Sequence, residues 1–160
     1  MTSTSTQGRH ETSAFVEHEH EELVAALDSI HRVAEQLAGL PADRKANSIA
    51  KVLGWVDETL KPHLAWEESW LCPEIDTRAQ TTWVTRLVRF DHRQIADQAN
   101  RMKAHQSHLD HGPSREAEAE LFGDLLGLET LLRADLEREE HFLVPLLANE
   151  ADRWTSEWRD

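Results

Sequence analysis

Two pairs of ionisable residues stand at a spacing that suits metal binding. His63 and Glu67 are four residues apart, and so are Asp135 and Glu139. In a helix, residues i and i+4 project from the same face, one turn apart. Each pair can therefore chelate one ion or contribute one ligand to each of two neighbouring ions.

Two histidines on other segments, His20 and His92, extend this set to three imidazoles and three carboxylates. All six side chains are in phase with the apolar residues around them, which predicts that they face a helical core. Carboxylates are rarely fully buried unless they are paired or bound to metal. The candidate metal ligands are therefore His20, His63, Glu67, His92, Asp135 and Glu139.

The number and mixture of donors predict a centre of two metal ions, with iron or manganese as the metal. Nitrogen and carboxylate ligands suit iron or manganese, whereas structural zinc prefers closed sites rich in thiolate or imidazole. Two ions bridged by carboxylates would use all six groups and leave a position for a small exogenous ligand. Manganese or zinc is the alternative metal, and a metal-free bundle of buried hydrogen-bonded pairs is the other explanation.

The candidate ligands repeat along the chain at an interval of 72 residues. This shift relates Glu67 to Glu139, and it also relates Pro73 to Pro145. The repeat predicts two related helical hairpins whose polar residues surround one centre. The same shift relates His20 to His92, and His63 to Asp135.

Four segments of the chain carry apolar residues at alternating spacings of three and four, as the helices of a bundle do. Breaks are expected at 39–41, 72–82 and 111–114, where glycine, proline and polar residues interrupt the pattern. Short connections favour antiparallel neighbours. The predicted fold class is all-α, an antiparallel up-down-up-down four-helix bundle built from two pseudo-repeated helical hairpins.

The same pattern predicts the domain boundaries and the inward-facing residues. Residues 1–13 are predicted to be a flexible polar leader, residues 14–149 the bundle, and residues 150–160 a C-terminal tail. In the second and fourth helices, the inward-facing row is predicted to continue past the glutamates to Trp70 and Phe142.

The composition narrows the class of partner. The chain has 160 residues, with 17 Lys and Arg against 30 Asp and Glu and a net charge of −13. This charge disfavours nucleic acid and anionic membrane surfaces, and no apolar stretch reaches the length of a membrane span. Because the polar N-terminus lacks a signal-peptide core and the single cysteine has no internal partner, a cytoplasmic location is predicted.

Four motifs together resemble those of hemerythrin-like (HHE cation-binding) domains over about residues 15–148. They are E-H-E-E-L, H-L-A-W-E-E-S-W-L-C-P, D-H-R-Q-I and L-E-R-E-E-H-F-L-V-P, in that order. The resemblance implies a non-heme di-iron centre in a four-helix bundle. It carries over as metal ligands His20, His63, Glu67, His92 and Glu139.

The chain departs from the oxygen-carrying members of that family in two positions. Those proteins have a second histidine four residues after the one on the third helix, where this chain has Ala96. Asp135 stands where most relatives have histidine. Asp135 is therefore interpreted as a ligand, as an acceptor that holds a histidine ring, or as a position without a role, and reversible oxygen carriage is disfavoured.

The predicted function is binding of, or reaction with, a small oxidant or diatomic gas, namely dioxygen, peroxide or nitric oxide. The alternative is a non-catalytic iron or oxygen sensor, or an iron-holding module, that signals to a protein partner. A ferritin-like oxidase would need Glu-x-x-His on two helices, and only Glu17-x-x-His20 occurs here. Whether the protein is an enzyme is left open.

The remaining polar residues near these motifs are assigned to the surface. The histidines His105, His108 and His111 are expected to face solvent. The acids that follow the predicted glutamate ligands, Glu68 and Glu140, are expected to lie on the helix exterior or to make ion pairs. His18 would replace His20 if the phase of the first helix differed. Pro62 is expected to kink or break the second helix.

Overall fold

A computed structural model describes the backbone over residues 4–109 and 114–147, and the side chains of residues 16, 18–108 and 114–147. Within these ranges all regular structure is helical, which confirms the predicted all-α class. The helices are α1 (Thr4–Gln36), α2 (Ala42–Trp55), α3 (Lys61–Trp66), α4 (Cys72–Ala79), α5 (Trp83–Leu109), α6 (Arg115–Arg138) and α7 (Val144–Leu147).

Three wide π turns join some of these helices without interrupting the helical path. Val56–Leu60 joins α2 to α3, Glu67–Leu71 joins α3 to α4, and Glu139–Leu143 joins α6 to α7. The described chain therefore has four long helical bodies, which are α1, α2–α4, α5 and α6–α7. These four bodies fit a four-helix bundle.

Local sequence explains where several helices begin and end. Pro41 precedes α2 in an extended conformation, which suits a residue at a helix start. The hydroxyl of Ser114 accepts a hydrogen bond from the N–H of Ala117 at 3.0 Å and so caps α6. Gln80 ends α4 in the left-handed conformation, with φ 52°.

Each π turn ends two residues before a proline, namely Pro62, Pro73 or Pro145. Proline has no N–H to donate, and its ring crowds the carbonyl four residues earlier. That carbonyl lies within the wide turn in all three cases, so the turn can move it aside and the helix continues. The predicted break at Pro62 therefore does not occur.

The inward-facing rows of the first and third bodies agree with the sequence pattern, but the rows of the other two shift. Beyond Glu67 the chain buries Leu71 and leaves Trp70 45% exposed, and beyond Glu139 it leaves Phe142 47% exposed. A π turn contains an extra residue compared with a regular turn. The predictions for Trp70 and Phe142 were wrong because they assumed an uninterrupted helical period.

The core consists of two apolar layers with a polar layer between them. On α1, Val16 belongs to the smaller apolar layer and Leu23 to the larger one, and His20 lies between them. Full burial of a leucine contributes roughly 1.5–3 kcal/mol, so both apolar layers stabilise the helices that carry the polar residues. The polar layer consists of His20, His63, Glu67, His92, Asp135 and Glu139.

Helix α1 begins at Thr4, well before the predicted domain boundary at residue 14. The predicted tail at 150–160 lies outside the described residues, so the division into leader, bundle and tail stays a prediction. Among the described helices, none combines the length and apolar character that crossing a membrane requires.

Candidate metal centre

All six predicted ligands meet in the polar layer, and each is almost fully buried. Their exposed fractions range from 0% for His20 and Glu67 to 8% for His63. His20 comes from α1 and His92 from α5, while the glutamates Glu67 and Glu139 occupy the first position of a π turn. The carbonyls of these two glutamates accept hydrogen bonds from the N–H groups five residues later, which is the pairing of a π turn.

His20, His63 and Glu67 form one group that could hold a cation, with a ligand atom from each within 4.8 Å of the others. Nε2 of His63 lies 3.0 Å from Oε1 of Glu67, and Nε2 of His20 lies 3.9 Å from the same oxygen. This group contains two nitrogen donors and one carboxylate. The i, i+4 pair predicted from the sequence therefore does converge on one point.

A second group that could hold a cation consists of Glu67, His92 and Glu139, and a ligand atom from each again lies within 4.8 Å of the others. Nε2 of His92 lies 3.3 Å from Oε2 of Glu67 and 3.8 Å from Oε1 of Glu139. Glu67 thus turns one oxygen towards each group. Glu139 does likewise, because its Oε2 lies 3.2 Å from Nε2 of His20.

Several atoms of the polar layer are buried without a hydrogen-bond partner. They include both ring nitrogens of His20, both carboxylate oxygens of Glu67 and Nε2 of His92. Leaving a buried polar group unpaired costs about 1–3 kcal/mol, and more if it is charged. A cation would satisfy these lone pairs together, so the residues present fit the metal that their chemistry predicts.

The charges of the polar layer shift the pKa values of its members. Burial lowers the pKa of His20, but Glu139 and Glu67 outweigh it and raise that pKa to about 9. The same balance raises the pKa of His92 to about 10. Burial raises the pKa of Glu67, yet the neighbouring imidazoles of His20, His63 and His92 bring it well below its usual value.

Asp135 lies beside the second group but in neither set of three. Its Oδ2 is 3.6 Å from Nε2 of His92, and its Oδ1 is buried without a partner. Burial and the charge of Glu139 raise the pKa of Asp135 to about 8. The side chain does face the centre, while its role as a ligand stays a prediction.

An outer acid stands behind each of the three histidines, which sequence reasoning missed. Glu68 lies on the helix exterior, as expected, and its Oε1 is 3.0 Å from Nδ1 of His92. Such carboxylate contacts fix the ring orientation of a ligand histidine and raise its basicity. The doubled glutamates 67–68 and 139–140 were the available signal. The other contacts are Glu19 to Nδ1 of His63 at 3.7 Å and Glu140 to Nδ1 of His20 at 3.8 Å.

Other histidines lie outside the polar layer. The side chain of His18 is 67% exposed and contacts acids of its own helix, so α1 has the predicted phase. His108 is exposed, as expected, and His111 lies outside the described residues. The prediction for His105 was wrong, because it is half-buried and its Nδ1 lies 2.6 Å from Oδ2 of Asp124.

The fold and the polar layer together define a helical-bundle protein with a buried cation site. The chain matches the family model of the hemerythrin HHE cation binding domain over residues 12–147. It therefore belongs to the hemerythrin HHE cation-binding domain family, as the motifs predicted. Comparison with curated proteins and with solved structures gives no match.

Proposed function

We propose that this protein binds two iron ions in its polar layer and uses them to bind or react with a small oxidant or diatomic gas. The observation that carries the proposal is the arrangement of Glu67 and Glu139. Each carboxylate turns one oxygen towards His20 and the other towards His92. Two carboxylates in this position can bridge two cations.

The residues divide naturally between the two ions. His20 and His63 would hold one ion and His92 the other, with Asp135 beside the second. Nitrogen and carboxylate donors suit iron, and they also admit manganese or zinc. Because the bridging oxygens and the histidines provide fewer donors than octahedral coordination needs, a position remains for dioxygen, peroxide or nitric oxide.

When bound, two iron ions would supply electrons and Lewis acidity for a small ligand. The chain's own residues would set the conditions for that chemistry. The apolar layers exclude bulk water from the centre, and Glu68 holds the ring of His92. Asp135 would add negative charge beside the second ion, which favours an oxidised metal state over reversible oxygen carriage.

The proposal includes an up-down-up-down bundle of two pseudo-repeated hairpins. The contacts of α1 with α2 and α6, and of α5 with α2, α4 and α6, support such a bundle. The equivalent positions of Glu67 and Glu139 at the start of π turns support the repeat. We propose that nucleic acid and anionic membranes are not partners, because the net charge of −13 repels them. A cytoplasmic location is proposed from the single cysteine, which suits a reducing compartment.

The alternative function is an iron or oxygen sensor, or an iron-holding module, that signals to a protein partner. It is favoured by exposed apolar side chains on one face of α5, namely Trp83, Leu87 and Phe90. Phe142, which follows the ligand Glu139, is also 47% exposed. Exposed apolar groups of this kind are typical of interaction surfaces.

Metal analysis of aerobically purified protein, combined with an absorption spectrum, tests the proposal. We expect about two iron ions per chain, as a site of six converging donors would hold, with near-ultraviolet charge-transfer absorption that azide or peroxide perturbs. Full iron occupancy with no response to either ligand would favour the sensor or holding module. Protein that binds no iron after reconstitution would contradict both functions.

A further inference from the structure

A cavity of about 300 Å³ opens beside the polar layer, between α1 and the body α2–α4. The π turn Val56–Leu60 forms one wall, because it directs Val56 and Leu60 into the core and leaves Glu58 and Thr59 exposed. The lining residues are Glu19, Glu58, Thr59, Pro62, His63 and Trp66.

This cavity ends at a predicted ligand. His63 is the most exposed member of the polar layer, at 8%, and it lines the cavity. Its Nδ1 lies 3.7 Å from Glu19 on the cavity side, and its Nε2 lies 3.0 Å from Glu67 in the centre. The imidazole of His63 therefore lies between the cavity and the buried carboxylate of Glu67.

The lining of the cavity is negatively charged, which affects the kind of ion that can approach it. Glu19 and Glu58 are acidic, and none of the lining residues is lysine or arginine. Clefts lined by one sign of charge concentrate ions of the opposite sign and raise their association rates. Cations are thus attracted, small neutral molecules are admitted, and anions are repelled.

We propose that this cavity is the entrance through which divalent cations reach the centre. Glu19 and Glu58 attract the ion, and His63 passes it to the inner carboxylate Glu67. This inference rests on the proposed function, since an entrance needs a metal centre behind it. It adds Glu58 and Thr59, which are not among the six predicted ligands, as determinants of metal loading.

Rapid mixing of the metal-free protein with Co²⁺ alone, followed by visible absorption, tests the entrance. At low ionic strength, Glu58→Lys should load about three- to tenfold more slowly than wild type, because it reverses a charge at the mouth. Glu21→Lys is the matched control, with the same change in charge at a side chain that is 83% exposed on α1. High salt should remove most of the difference between the two variants.

Thr59→Trp tests the same entrance by size rather than charge. The indole should slow loading and release by similar factors, so the Co²⁺ content at equilibrium should stay at the wild-type value. Circular dichroism verifies that both variants keep the helical fold. If Glu58→Lys and Thr59→Trp both load Co²⁺ as fast as Glu21→Lys, the proposed entrance is wrong but the metal centre can stand. If the wild-type protein takes up no ion, the proposed metal centre is wrong as well.

Discussion

Two clusters of polar residues lie where helices of this bundle pack, and they differ in how their buried polar atoms are paired. The polar layer holds the six predicted ligands, and the distal cluster holds Gln98, Arg101 and His105 on α5 with Asp124 on α6. In the distal cluster, the amide of Gln98 donates to Oδ1 of Asp124 at 3.0 Å, and His105 contacts Oδ2 at 2.6 Å. In the polar layer, by contrast, several buried nitrogens and oxygens have no hydrogen-bond partner.

The difference separates a structural cluster from a binding site. Both clusters combine histidine with a carboxylate, and both lie where helices pack. In the distal cluster the members are hydrogen-bonded to one another, since Arg101 also donates to the side-chain oxygen Oε1 of Gln98. The polar layer lacks such pairing at several buried atoms, and a bound cation would satisfy them.

Glu67→Ala should give the largest effect on the polar layer, namely loss of both ions. Its oxygens face both groups, so its removal takes a donor from each ion. His63→Ala should also lower iron content strongly. Glu129→Ala is the control, since this buried glutamate is already paired with Arg133 and His31. Metal analysis should find wild-type iron in the control, and iron retained by Glu67→Ala would refute the bridging role.

Metal-free protein should lose stability as the pH rises. The pKa values of His20 and His92, raised to about 9 and 10, exceed the unfolded value near 6.5. Their protonation therefore stabilises the fold fully below pH 6.5, and this stabilisation is lost as the pH passes through 9 and 10. The pKa of Asp135 is also raised, from 3.8 in the unfolded chain to about 8. Its protonation therefore stabilises the fold at low pH, and this stabilisation is lost as the pH rises from 3.8 through 8.

Urea unfolding at pH 6.5 and pH 9.5, in the presence of a chelator, measures this decrease. Iron-loaded protein should show a smaller decrease, because the cations replace the protons on the ligands. Equal stability of the metal-free protein at the two pH values would mean that the charges of the polar layer do not oppose its folding.

Asp124→Ala should destabilise the bundle by about 1–3 kcal/mol, because the buried amide of Gln98 and the half-buried ring of His105 would both lose their acceptor. Asp124→Asn keeps one acceptor oxygen, so it should cost less. Iron content should be unchanged in both variants, which is the opposite of the result for Glu67→Ala. Denaturant unfolding and metal analysis on the same samples give both quantities, and loss of iron would mean that the two clusters are linked.

Asp135→His should give the smallest effect, which is a change in the centre without a change in fold. The imidazole replaces a carboxylate donor by the nitrogen donor that the 72-residue repeat has at His63, and it removes a negative charge. We expect the second iron to bind at least as tightly and the absorption spectrum to shift. Identical stoichiometry, affinity and spectrum would place residue 135 outside the set of ligands and leave Glu139 as the ligand of that helix.

The sequence correctly predicts those side-chain directions that follow from the periodicity of a single helix. The rows through His20 and His92 keep the regular period, so their inward direction follows from the neighbouring apolar residues. The contact of Glu68 with His92 and that of His105 with Asp124 join different helices. Helical periodicity carries no information on such partners, and these two contacts were missed.

The regular helical period no longer predicts which residues are buried after Glu67 and after Glu139. Leu71 is buried instead of Trp70, and Phe142 is exposed, because π turns begin at Glu67 and Glu139. The prolines at 73 and 145 were visible in the sequence. They predict a disturbance of the helix, but not that the helix would continue with a wider turn.

These turns also affect how the chain should be aligned with related sequences. A π turn holds one residue more than the regular turn it replaces, so a relative with a regular helix at Glu67 would be one residue shorter there. An alignment without a gap would then pair Leu71 with an outward position, although the ligands before it match. Single-residue gaps placed directly after Glu67 and Glu139 would keep both the ligands and the smaller apolar layer in correspondence.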